Sequence, residues 1–192
     1  MMHIRITVIG AVALLAIGLT GCQQPNFSEM MAPPERPVEL DRLAMFVGQW
    51  EGTCEGTMTG CEEAMKSKGT SEAKWDADRW VLVERMEYTM GEGKDETKMA
   101  GICVWSWDAR AKKYRMNCYD NFGTCGTGMA TYDEDTRTWH MTNKGRYADG
   151  TAVVGEGTTV MVDENTMEWN YTEWDSWKLT KFMEMEGTIH RR

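Results

Sequence analysis

A chain of 192 residues, 42% hydrophobic and 27% charged, is long enough to bury a sizeable core and too evenly composed for a disordered or low-complexity protein. A formal net charge of -9, from 21 basic and 30 acidic residues with no basic run, argues against nucleic acid as a partner. The composition is unusual in its 17 methionines and 9 tryptophans, soft and aromatic side chains that suit an irregular apolar cavity.

The first 21 residues join a short basic start (His3, Arg5) to the apolar run ITVIGAVALLAIGL and then to Leu19-Thr20-Gly21-Cys22. The run is too short for a comfortable membrane-spanning helix and reads as an export signal. Leu-Thr-Gly-Cys resembles the lipobox of bacterial lipoproteins, which implies that residues 1–21 are removed and that Cys22 carries the lipid. Gln23 follows where an inner-membrane retention signal would have Asp. In a Gram-negative host this favours the periplasmic face of the outer membrane. Residues 22–38 are polar and proline-rich and read as a tether, so the membrane is met through the lipid alone.

The folded domain is expected over residues 39–192. Residues 40–47, LDRLAMFV, have helical spacing and predict one short helix before the first strand, which runs over 48–58. Strand alternation then predicts segments at 70–76, 80–90, 97–107, 113–120, 124–132, 138–146, 151–162, 166–174 and 177–190. Turn-forming clusters such as GEGKDE, DNFG and DEDT separate them. No long helical pattern intervenes, so the fold class is all-β: an antiparallel up-and-down meander of about ten strands. Closure into a barrel hides the edges most simply, with a two-sheet sandwich as the alternative. Arg85, Glu87, Arg115 and Glu184 on outward faces exclude a lipid-facing band.

The centre of the chain fixes the inner face. Setting Cys103 opposite Cys118 places Trp105 opposite Met116 and Trp107 opposite Tyr114. A type I turn at Asp120–Gly123 would then bring Cys118 to Cys125 and Tyr114 to Met129. The inward set expected to line a cavity is Trp50, Met86, Tyr88, Trp105, Met116, Met129, Trp139, Met141 and Trp169. Glu84 shares a face with Leu82, Met86 and Tyr88, but an opposite register with Val81, Val83 and Arg85 inward is equally open.

The opening LDRLAMFVGQWEG, an apolar lead-in and then Gly-x-Trp, resembles calycin-type barrels such as lipocalins and fatty-acid-binding proteins. That opening, the hairpin at Asp108–Tyr114, the turn at Asp133–Trp139 and a closing strand with basic residues also resemble the bacterial domain-of-unknown-function family numbered 1579. The resemblance implies a calycin-like barrel on a secreted or lipid-anchored protein and no particular activity. Five cysteines after the anchor depart from that family's pattern.

Cys54, Cys61, Cys103, Cys118 and Cys125 are expected to meet an oxidising compartment. Cys54 and Cys61 flank a turn and are candidates to bridge the first hairpin; Cys118 has Cys103 and Cys125 as alternative partners. An odd count leaves at least one thiol free in a monomer. Against this stapled barrel stands a soft-ligand reading, Cys103, Cys118 and Cys125 with Met116 or Met129 holding Cu(I). No Cys/His spacing marks a metal centre, no cofactor is expected, and no Gly-x-Ser-x-Gly or compact triad marks a catalytic centre. His140 reads as a surface residue. His190 has a weak parallel in haem-binding barrels of the nitrobindin type. The acidic turn at Asp133 lacks the pattern of a calcium loop. The expected function is non-catalytic binding of a small apolar or aromatic ligand, with a filled interaction barrel as the alternative.

Overall fold

The computed structural model describes residues 31–61, 63–91 and 96–192. The expected signal segment, Cys22 and the tether up to residue 30 lie outside the described residues. Ten strands follow in chain order: β1 (Gly48–Met58), β2 (Met65–Asp76), β3 (Val81–Met90), β4 (Thr97–Asp108), β5 (Lys113–Asp120), β6 (Cys125–Asp133), β7 (Thr138–Arg146), β8 (Ala152–Met161), β9 (Thr166–Asp175) and β10 (Lys181–Arg191). Each strand pairs antiparallel with its sequence neighbours, and β1 pairs with β10 from Trp50 opposite Arg191 to Met58 opposite Met183. The meander is therefore a closed barrel and not a sandwich, and every strand has two partners. All of it lies in one compact unit, Arg36–Arg192.

One end of the barrel is plugged by a short 3-10 helix, Val38–Phe46. Its leucines and phenylalanine recur every third residue, at 40, 43 and 46, which stacks them on one face of a helix with three residues per turn. Leu40 and Leu43 are buried against Leu82, Trp105, Tyr114 and Trp139. Phe46 stacks on Trp105 with ring centroids 5.3 Å apart and leans on Trp139 at 5.2 Å. Three polar tips tie the plug down. The Trp50 indole N–H donates to the Phe46 carbonyl (2.8 Å), the Tyr114 hydroxyl to the Glu39 carbonyl (2.7 Å), and the Arg191 guanidinium to the Met45 carbonyl (3.0 Å).

β4 and β5 pair as the sequence predicts, with Cys103 opposite Cys118, Trp105 opposite Met116 and Trp107 opposite Tyr114. β5 and β6 do not. Cys118 faces Gly126 and Tyr114 faces Ala130, one residue beyond the expected Cys125 and Met129. The turn explains the slip. The Asp120 N–H reaches the Thr124 carbonyl at 3.2 Å, and Gly123 takes a left-handed φ of 79°, which makes a three-residue loop. A one-residue shift exchanges the two faces of a strand. Cys125 and Met129 therefore stand on the outer face, and Gly126, Gly128 and Ala130 take the inner one.

Two other boundaries differ. β2 begins at Met65 rather than residue 70, because Ser67 and Gly69 continue the inward row without an apolar signal. β10 begins at Lys181 rather than residue 177, because the Asp175 carboxylate accepts from the Trp177 and Leu179 amides (3.0 and 2.9 Å) and folds that stretch into a turn.

Candidate ligand cavity

Between the aromatic plug and the opposite mouth lies a cavity of about 440 Å³. Eight methionines line it, at 65, 86, 90, 99, 141, 167, 183 and 185, together with Trp50, Trp105, Trp169, Tyr88 and Tyr171. Met65, Met90, Met99 and Met183 sit at strand ends and form its outer rim, while Phe46, Trp50 and Trp105 form its floor. Inward glycines let the side chains of the wall pack closely. A Cβ on Gly187 would stand 2.6 Å from the Cys54 Cβ and 3.0 Å from the Trp169 ring. One on Gly69 would stand 2.3 Å from the Tyr88 ring.

Of the nine residues expected to line a cavity, Trp50, Met86, Tyr88, Trp105, Met141 and Trp169 do so. Met116 and Trp139 point inward but belong to the packed closed end, with Trp139 fully buried between Phe46, Trp105, Tyr114 and Tyr132. Met129 is on the outside, a consequence of the β5–β6 register. Sequence reasoning passed over six of the eight methionines, although Met65, Met90, Met99, Met183 and Met185 all keep step with inward neighbours two residues away.

The thiols fall into different places. Cys103 and Cys118 are joined by a disulfide across β4 and β5, with Cα atoms 4.1 Å apart. Cys54, Cys61 and Cys125 are free. The Cys54–Cys61 bridge is not made: Cys54 is an inward strand residue paired with Ser67 and Gly187, whereas Cys61 is exposed in the turn beyond β1. The Cys54 Sγ lies 2.7 Å from the Ser67 hydroxyl, and burial pushes the thiol up. The soft-metal cluster is also not assembled, since the disulfide consumes two of its sulfurs and the β5–β6 register puts Cys125 and Met129 on the outer face.

Glu84 takes the inward register, beside fully buried Leu82 and opposite Cys103. It lines the cavity, where burial raises its carboxyl above the ordinary range; the Ser71 hydroxyl and the Trp105 indole N–H act the other way. Among the described residues that line the cavity there is no Lys, Arg or His. Burial, with the charges of Glu84 and Cys54 added, also pushes the neighbouring Tyr88 hydroxyl up.

A second interior carboxylate went unnoticed in the sequence. Glu173, 6% exposed on β9, accepts from the Tyr171 hydroxyl at 2.8 Å and from the Tyr147 hydroxyl. Asn143 donates to Tyr171 at 2.9 Å. Burial and the carboxylate push both tyrosines up. These four side chains come from β7, β9 and the turn after β7, and the pairing of both strands with β8 brings them together.

The remaining candidates are peripheral. His140 is exposed on the outer face of β7. His190 also points outward, its Nδ1 3.4 Å from the Thr166 hydroxyl, so it offers no ligand to a group inside the barrel. The Asp133 carboxylate accepts from the Asp135 and Thr136 amides (2.9 and 3.1 Å), a turn-building role.

No family model and no curated protein matches the chain. Solved structures match over most of its length. The S-type phycobiliprotein lyase CPES from Guillardia theta aligns with a TM-score of 0.56 at 11% identity, covering 88% of this chain and 98% of its own. Rv2717c from M. tuberculosis aligns with a TM-score of 0.61 at 11% identity, covering 82% and 99%. The superpositions show a shared barrel fold, and at this identity the fold alone.

Proposed function

We propose that this is a lipid-anchored envelope protein whose barrel binds a small apolar or aromatic ligand without transforming it. The carrying observation is the cavity of about 440 Å³, floored by indoles and rimmed by methionines, in a barrel otherwise closed by its plug. Small-molecule sites are usually of this kind, concave and mostly apolar with a few polar groups. Methionine side chains adapt to the shape of what they hold.

Native mass spectrometry of the Arg36–Arg192 unit tests the reading. The expected result is a small non-covalent mass lost on denaturation, or uptake of one naphthylmethanol per chain after the ligand is stripped. A clean mass that takes up nothing would leave the filled-barrel alternative. The anchor is tested separately. Cys22→Ser is expected to move the protein from the membrane fraction to the soluble one, and retention at the membrane would overturn that part.

A further inference from the structure

We propose that the cavity selects ligands carrying a cationic nitrogen, such as a protonated amine, on their apolar or aromatic body, with Glu84 as the counter-charge. This rests on the cavity being a ligand site. The first observation is a contrast between the two interior carboxylates. Glu173 has its oxygens engaged by two tyrosine hydroxyls. Among the described residues Glu84 makes no hydrogen bond as short as these; the Ser71 hydroxyl and the Trp105 indole N–H are its neighbouring donors, and a carboxylate has lone pairs for about four hydrogen bonds. Its spare capacity faces the cavity.

The second observation is that the described lining residues offer Glu84 no counter-charge. No basic side chain is among the described lining residues. Arg191, inward-facing on β10, is spent at the closed end: it donates to the carbonyls of Met45 (3.0 Å), Glu164 (3.2 Å) and Val47, and lies 4.2 Å from the Trp50 ring. A carboxylate held in apolar surroundings without a cation is costly, and a fold that needed only packing there would do better with an apolar residue. The third observation is the walls. Trp50, Trp105, Trp169 and Tyr88 share the cavity with Glu84, and the faces of aromatic rings attract cations where water is scarce. A carboxylate within such walls recognises an ammonium group and disfavours an anion.

The test is calorimetric titration of the Arg36–Arg192 unit, at neutral pH, with naphthylmethylamine, naphthylmethanol and naphthoate. These probes share one ring system and differ in charge. The amine is expected to bind at least ~10-fold tighter than the alcohol, with naphthoate weakest. In Glu84→Gln the amine's advantage over the alcohol is expected to fall to within about 2-fold. Equal affinities in the wild type, or an amine preference that survives in Glu84→Gln, would overturn the proposal and leave the cavity as an apolar site. If none of the three bound, the ligand-binding reading itself would fall. The wild-type ratio decides the matter even if the variant does not fold.

Discussion

Burial raises the Glu84 carboxyl, and the nearby hydroxyl and indole donors recover only part of the cost. The unfolded chain ionises this group at an ordinary carboxylate pH, the folded chain at a higher one. Stability is therefore full in acid and is lost as the pH rises through the folded value. Glu84→Gln is expected to remove that loss. It should melt above the wild type at neutral pH, by about 1–3 kcal/mol, and converge with it in acid. Parallel melting profiles across the range would contradict the placement of this carboxyl. The turn aspartates at 108, 133, 149, 163 and 175 act in the opposite sense. Backbone N–H groups hold each below its ordinary range, so their contribution is lost as pH falls. Only the difference between wild type and variant isolates Glu84. Its presence on a strand was plain in the sequence, but its register was not, because Val81 and Val83 on the other face are as apolar as Leu82 and Met86.

At the scale of elements, the β4–β5 hairpin is held by the Cys103–Cys118 bridge, which closes a loop of 15 residues. A constraint of that length removes unfolded-state freedom worth about 3 kcal/mol. The double variant Cys103→Ser/Cys118→Ser is expected to lose about that much in denaturant unfolding, and reductant should then have no further effect. Wild-type stability in the double variant would contradict the bridge. β2 gives a second test. A Cβ at Gly69 would meet the Tyr88 ring at 2.3 Å and the Glu87 carbonyl oxygen at 2.5 Å, and the carbonyl cannot move without the strand. Gly69→Ala is expected to cost about 1–3 kcal/mol, read from the unfolding midpoint. These hairpins also mark where sequence reading stops. The β4–β5 register follows from apolar side chains matched across a short turn. The β5–β6 register depends on whether Gly123 adds a residue to the loop, and alternation cannot reveal that in a strand whose inward positions are Gly126, Gly128 and Ala130.

For the whole molecule, the meander was legible because ten alternating segments with polar turns leave an antiparallel chain little choice but to close. The division of the interior was not legible. Trp139 and Trp169 look alike as inward tryptophans, yet one is packed against the plug and the other faces the cavity, because the helix of Val38–Phe46 reaches only one end. The Glu173–Tyr171–Tyr147 group likewise exists only once β7 and β9 are paired to β8. The measurement that tests the account most directly is an NMR titration of methionine methyl groups with naphthylmethanol, in the Arg36–Arg192 unit. The account predicts saturable shifts at Met86, Met141 and Met185, which line the cavity, and none at Met129 on the outer wall or Met116 in the packed end. Shifts at Met129 with none at the cavity methionines, or no saturable shift at all, would contradict a ligand site inside the barrel.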